Sequence, residues 1–404
     1  MKWCLVPAVL SVMLMGCGSL AENTEAPAAK SILLDSMPGQ CPFLTMDHLG
    51  RMVISWAGMT SDSTARFCYA TADDAGVFGK PVVVPGSEQI KPNGENLPRI
   101  IFKPSGEIIA LWGVANPNEL NKYSGLVYYS QSFDQGKTWS PPAPLVHDTA
   151  SFDQRYYDVA LLPDGEVGII WLDNRQQQET DGSALYFASS EGRDGFKNER
   201  RISEPCCPCC RTDLFVDSKG RIHAIYRAIL QDTIRDMVHL VSADNGRSFT
   251  KPRRISFDNW VLRGCPHTGP SMTENSSGIH FSWYTGGGAK GAHFTSSRDN
   301  GQHFDMPDTV SSSGSHPQLI TLGDDRLLVA WDEYLPHDTN GGKRIGLQWR
   351  DVNGKRSDTR YVAEGLDASY PVLIASGKSG AVLAYTSKKN RQPEIYYQYV
   401  GRPD

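Results

Sequence analysis

Short apolar runs, each closed by a turn residue, repeat along this chain. A strand-like segment ending in or beside an aromatic recurs as RMVISW, EIIALW, EVGIIW, RIHAIY, GIHFSW, RLLVAW and AVLAYT, which sets Trp56, Trp112, Trp171, Tyr226, Trp283, Trp331 and Tyr385 in one column at spacings of 48 to 59 residues. Another apolar run such as FLTM, IIF or LITL precedes each, across a turn at Gly50, Gly106, Gly165, Gly220, Gly278, Asp325 or Gly380. A third run follows, from RFCYAT to IYYQYV, and often a fourth such as PVVVP. No i, i+3, i+4 period is sustained, so the elements are strands and a helical solenoid is excluded.

Four short antiparallel strands per unit is the pattern of a propeller blade. Seven aromatic columns therefore predict an all-β, seven-bladed β-propeller over residues 31–404 as a single domain. The last unit stops after IYYQYV, and SILLDS at Ser31 to Ser36 stands alone before the first. Pairing the two closes the ring and removes an exposed edge.

Composition narrows the function. The 404 residues carry 45 acidic and 40 basic side chains, a net charge of -5, with no polybasic run. Nucleic acid is an unsuited partner. Beyond the N-terminus no apolar stretch reaches transmembrane length. Met1-Lys2 followed by an apolar stretch to Met15 reads as a signal peptide over 1–16. Its ending, Leu14, Met15, Gly16 and Cys17, resembles the bacterial lipobox, which implies cleavage before Cys17 and lipidation of that residue. Gly18 in place of Asp implies an outer-membrane lipoprotein of a Gram-negative cell, facing periplasm or surface. Residues 17–30, small, polar and Pro-containing, form the expected tether, and the lipid is the expected membrane contact.

Three units carry Ser-x-Asp-x-Gly-x-x-aromatic between the third and fourth runs: SFDQGKTW from Ser132, SADNGRSF from Ser242 and SRDNGQHF from Ser297. Mechanically this is a turn in which Asp folds onto local amides and Gly takes positive φ. The octets resemble the Asp-box, or BNR, repeats of the sialidase-like propellers. Degenerate forms occur at TADDAGVF and SSEGRDGF, and the sixth unit has none.

Registering the units on the aromatic column identifies the residues that begin each innermost strand, where the channel opens. Two constellations converge there. One is sulfur and imidazole: Cys41, the run CCPCC at Cys206, Cys207, Cys209 and Cys210, then Cys265, His267 and His316. The other is Arg99, Arg155, Arg211, Asp158 and Asp213, with Tyr156, Tyr157 and Tyr370 beside them.

With Cys17 lipidated, seven cysteines remain, an odd number that forbids complete pairing; Cys68 is expected in the core. The rim cysteines then allow two readings. Disulfides are usual in an exported protein. Crowded thiolates with adjacent imidazoles suit a thiophilic metal, copper or zinc, or thiol redox chemistry. The sialidase resemblance implies a third possibility. There Arg99, Arg155 and Arg211 clamp an acidic glycan, Tyr156 or Tyr370 is the nucleophile, and Asp158 or Asp213 the acid/base of an exo-α-sialidase. The chain departs from that family: its Arg-Ile-Pro motif is absent, and six blades are expected where seven are counted. A non-hydrolytic metal or thiol site is the leading expectation, glycan hydrolysis or binding the alternative, and a protein-interaction platform the third. His48, His147, His223, His280, His293, His303 and His337 receive no role.

Overall fold

The computed structural model describes Met1 and residues 31–401, except 62, 120, 149–150, 152, 176–181, 204, 337–340 and 391. The expected signal peptide beyond Met1, Cys17, the tether and His337 lie outside the described residues. Among the described residues there are seven four-stranded antiparallel sheets, six of them built from consecutive strands. The first blade runs Gly39–Met46, Met52–Met59, Ala65–Thr71 and Val82–Val83. The last uses Ala368–Ser376, Gly380–Ser387 and Glu394–Gly401, and takes its fourth strand, Ile32–Leu33, from the N-terminus. Ile32 pairs with Tyr397 and Leu33 with Tyr396, so the ring is closed as its sequence requires.

Each aromatic of the column lies on the second strand of its blade and is at most 2% exposed. These rings fill the space between neighbouring sheets, and burying them is the main apolar contribution to blade stacking. Cys68 packs in the first blade's core as expected, against Gly58.

The three octets form equivalent turns. Asp134, Asp244 and Asp299 accept the amides of Thr138, Ser248 and His303 at 2.8 to 2.9 Å, and the hydroxyls of Ser132, Ser242 and Ser297 accept the amides of Gly136, Gly246 and Gly301 at 2.7 to 2.9 Å. The glycine also has an outward duty. Positive-φ Gly136, Gly246 and Gly301 press on Tyr69, Phe187 and His239, third-strand residues of the preceding blade, so closely that a Cβ would come within 2.3 to 2.7 Å of the ring or its hydroxyl. Gly354 in the sixth blade does the same against Phe294, although its sequence lacks the octet. Asp351 supplies the turn there, accepting the amides of Asn353 and Lys355.

Around the channel, buried side chains tie one innermost strand to the next. Asp158 accepts the amide of Leu214 at 2.9 Å, Asp213 that of Met272 at 2.6 Å, and Ser271 that of Leu319 at 3.0 Å.

Candidate metal centre and channel mouth

Four blades begin their innermost strand with the same irregularity. A β-bulge separates Gln40 from Phe43, Arg155 from Asp158, Ser315 from Gln318 and Ser369 from Val372. The bulged residue in each, Cys41, Tyr156, His316 and Tyr370, has φ between 51° and 61°. A non-glycine residue in that region costs on the order of 1 kcal/mol, and bulges re-aim side chains beside functional sites. His267, one position earlier in the fifth blade's register, has φ 49°.

Between the third and fourth blades the CCPCC run is buried against the chain of Arg227. Cys207 Sγ lies 3.4 Å from Cys209 Sγ and 3.7 Å from Cys210 Sγ, and all three sulfurs fit within 4.8 Å. Cys265, exposed, reaches the Cys209 thiol from the loop before the fifth blade. The hydrogen bond with Cys209, joined by the charge of His267, outweighs burial and pulls Cys265 down to about 6. Burial alone would raise Cys210, yet hydrogen bonds from Cys207 and Cys209 and the charge of Arg227 hold it well below the ordinary thiol value. The bonding that favours the Cys210 and Cys265 thiolates pushes Cys209 up.

Arg227 is 1% exposed. Its guanidinium donates to the carbonyls of Arg235, Thr268 and Tyr284 at 3.0, 3.4 and 2.8 Å, and its Nε has no partner. Among the described residues no carboxylate forms an ion pair with it. Its charge favours ionisation of Cys207 and Cys210.

The other sulfur and imidazole candidates lie apart from this trio. Cys206 bonds the Ser183 carbonyl through both its amide and its thiol, and burial raises it to about 12. Cys41 is buried across the channel mouth, where its thiol meets the backbone of Asn93; burial likewise raises it to about 12. His316 donates from Nδ1 to Asp332 at 2.6 Å.

Residues 93–97, from the loop leading into the second blade, cross the mouth. Gly94 lies against the Tyr370 ring, where a Cβ would be 2.5 Å away. Asn96 accepts the amide of Tyr156 at 2.9 Å. Glu95, 2% exposed, stands 3.5 Å from Arg211 and 3.7 Å from His316, and its second oxygen is buried without a partner. Burial, opposed by Arg211 and His316, raises its carboxyl. The Tyr370 ring packs on His316 with centroids 4.3 Å apart and a 35° tilt, and its amide donates to Asp332. Burial would raise Asp332, but His316, Lys343 and that amide keep it low. Glu95 and Asp332 escaped the sequence reading because one sits on a connecting loop and the other immediately follows a column Trp.

The three arginines of the alternative reading are each taken up by a carboxylate. Arg99 stacks on Phe43 at 4.0 Å and pairs with Asp158 at 3.0 Å; Arg155 makes two bonds to Asp153, at 2.5 and 2.6 Å; Arg211 faces Glu95. Asp158 and Asp213 lie inside the channel, and burial beside Asp158 raises Asp213 well above the ordinary carboxyl value. Arg99, Arg211 and the two aspartates line a channel cavity of about 200 Å³. In that lining Arg99 is paired with Asp158, and Cys207, Cys209 and Cys210 are not part of it.

No protein-family profile matches the chain, and no curated protein does. Solved structures share its fold. A protein of unknown function from Dyadobacter fermentans is 17% identical, with a TM-score of 0.55 over 79% of this chain and 100% of its own. An ulvan lyase, a polysaccharide lyase solved with a glucuronate-rhamnose sulfate oligosaccharide, is 10% identical, with a TM-score of 0.59 over 92% of this chain and 96% of its own. The intramolecular trans-sialidase of Ruminococcus gnavus, solved with oseltamivir carboxylate, is 10% identical, with a TM-score of 0.52 over 79% and 96%. At these identities the likeness is one of architecture: the chain is similar to sialidase-like and polysaccharide-lyase propellers.

Proposed function

We propose that this protein is an exported, lipid-anchored propeller that holds a thiophilic metal ion, copper or zinc, on Cys207, Cys209 and Cys210, with Cys265 as a further sulfur. The observation that carries the reading is the convergence of three buried sulfurs within 4.8 Å. A tetrahedral ion with metal–sulfur bonds of about 2.3 Å sets its sulfurs about 3.8 Å apart. Separations of 3.4 and 3.7 Å approach that spacing without backbone rearrangement. Arg227 supports the same reading, because a buried guanidinium without a counter-charge costs several kcal/mol, and a metal–thiolate centre, being anionic, supplies one. The test is elemental analysis with thiol counting on the chain purified without chelator. About one metal per chain, lost together with Cys207→Ser and Cys209→Ser, is expected; no metal, with the thiols joined as disulfides, would overturn it.

A second reading rests on Glu95. Its unpartnered oxygen, beside His316, Tyr370 and Arg211, faces the channel mouth with groups able to hold and move a proton at a bound acidic glycan. Turnover of sialosides or uronate oligosaccharides that Glu95→Gln removes would establish it, and no binding of either would retire it.

A further inference from the structure

Three of the four clustered thiols are sealed and one is open. Cys207, Cys209 and Cys210 are at most 3% exposed, whereas Cys265 is exposed. Cys207 is closed off by the chain of Arg227, whose carbonyl accepts its amide at 2.9 Å. Cys210 is held from the other side by the Thr268 backbone. Cys209 is the member that meets Cys265.

The loop bearing Cys265 is suited to movement. Its last anchors are Leu262, bonded to the Thr233 carbonyl, and a bridge at Val261. Among the described residues Gly264, Cys265 and His267 make no backbone–backbone hydrogen bond, and the next strand starts at Ser271. Small displacements there would open the Cys209–Cys265 contact and leave the trio in place.

Resting on the metal reading above, we infer that the cargo is Cu(I) and that Cys265 is its exchange ligand, taking the ion from a solvent-side thiolate donor and handing it to Cys209. The donor set decides the ion. A structural zinc site is four-coordinate and closed, whereas here the fourth sulfur is exposed on a loosely held loop. The sealed trio is all sulfur, the donor type that selects soft Cu(I). Three thiolates on a monovalent ion also leave net negative charge, which Arg227 faces from its buried position.

The step is ligand exchange. The bond from copper to the donor sulfur breaks as the bond to the Cys265 thiolate Sγ forms, and the donor leaves as its own thiolate. As Cys209, Cys207 and Cys210 bind, Cys265 leaves as its thiolate, and the protons carried by Cys207 and Cys209 pass to solvent. Copper stays Cu(I) throughout, so no oxidant or reductant enters.

The experiment follows Cu(I) moving between glutathione and the full chain, with bicinchoninate as the optical reporter in stopped flow. Cys265→Ser is expected to slow both uptake and release by about tenfold or more while about one Cu(I) per chain is still held at equilibrium. Alkylation of Cys265 on the otherwise unchanged apo chain, where it is the accessible clustered thiol, is expected to slow exchange equally. Unchanged rates in both preparations would overturn the assignment of Cys265. Loss of all copper from folded Cys265→Ser would overturn it differently, making Cys265 an obligatory ligand. A wild-type chain that takes no Cu(I) would instead remove the metal reading on which the inference rests.

Discussion

The carbonyl of Arg227 accepts the amide of Cys207 at 2.9 Å, while the guanidinium of the same residue is buried among carbonyls with no carboxylate beside it among the described residues. Thiol cluster and cation are thus fixed to each other by the backbone. If the cation balances a metal–thiolate centre, Arg227→Met should weaken Cu(I) binding about tenfold and shrink the rise in melting temperature on copper addition. Competition titration and paired melts measure both. A copper-induced rise equal to wild type would show that Arg227 is indifferent to the centre.

The position of Cys206 gives a sharper division within CCPCC. Its thiol is bound to the Ser183 carbonyl and stands outside the trio. Cys206→Ser is expected to keep the full metal content, and Cys207→Ser to lose most of it. Equal loss in both, with both folded, would mean that the run rearranges around the ion.

Acid sensitivity follows from three histidines buried as neutral rings. His280, held between Asn275 and Ser296 at 2.8 Å each, is lowered by burial from 6.5 to about 4. His223 and His239, in contact at 2.9 Å, are lowered by burial as well. The unfolded chain binds protons near 6.5 and the fold does not. The stability that neutral His280 contributes is therefore complete above 6.5 and is lost as pH falls toward 4, by about 1.4 kcal/mol per pH unit, and His223 and His239 act in the same direction. Urea melts across this window should show the loss, and His280→Gln should reduce its slope; a flat profile would contradict the neutral assignment.

The contact of Gly246 with Phe187 predicts a local penalty with a wide effect. At φ 79°, a Cβ would sit 2.3 Å from the ring of the preceding blade. Gly246→Ala should destabilise by about 2 to 4 kcal/mol, combining backbone strain with overpacking. Denaturant titration checks it, and a change within about 0.5 kcal/mol would mean the blades slide to accommodate.

What was legible in the sequence is what repeats. Trp171 and Trp331 announced themselves by register, and the octets from Ser242 and Ser297 by pattern. Gly354 shows the limit: the sixth blade keeps the turn and its press on Phe294 while Asp351 replaces the Ser-x-Asp signature, so geometry outlasts the motif. The CCPCC run marked the thiol site, but its division into Cys206 and the other three depends on Ser183, which lies 23 residues upstream. Glu95 was invisible because a connecting loop has no register. Arg227 ends RIHAIYR like any strand terminus, and nothing in one dimension marks the lack of a counter-ion. The seven-blade count, the strand that closes the ring and, among the described residues, the absence of long helices came through because each depends on a periodic pattern.

The closing strand has a mechanical consequence. Six blades are each built from one continuous stretch, whereas the seventh joins the two ends of the chain through Ile32 and Leu33, with Ser31 receiving the Tyr385 hydroxyl at 2.6 Å. Any pull on the segment before residue 31 is therefore delivered to a two-residue clasp before it reaches any other sheet. The clasp is the seam at which this ring would unzip under load, and every other blade is shielded until it gives.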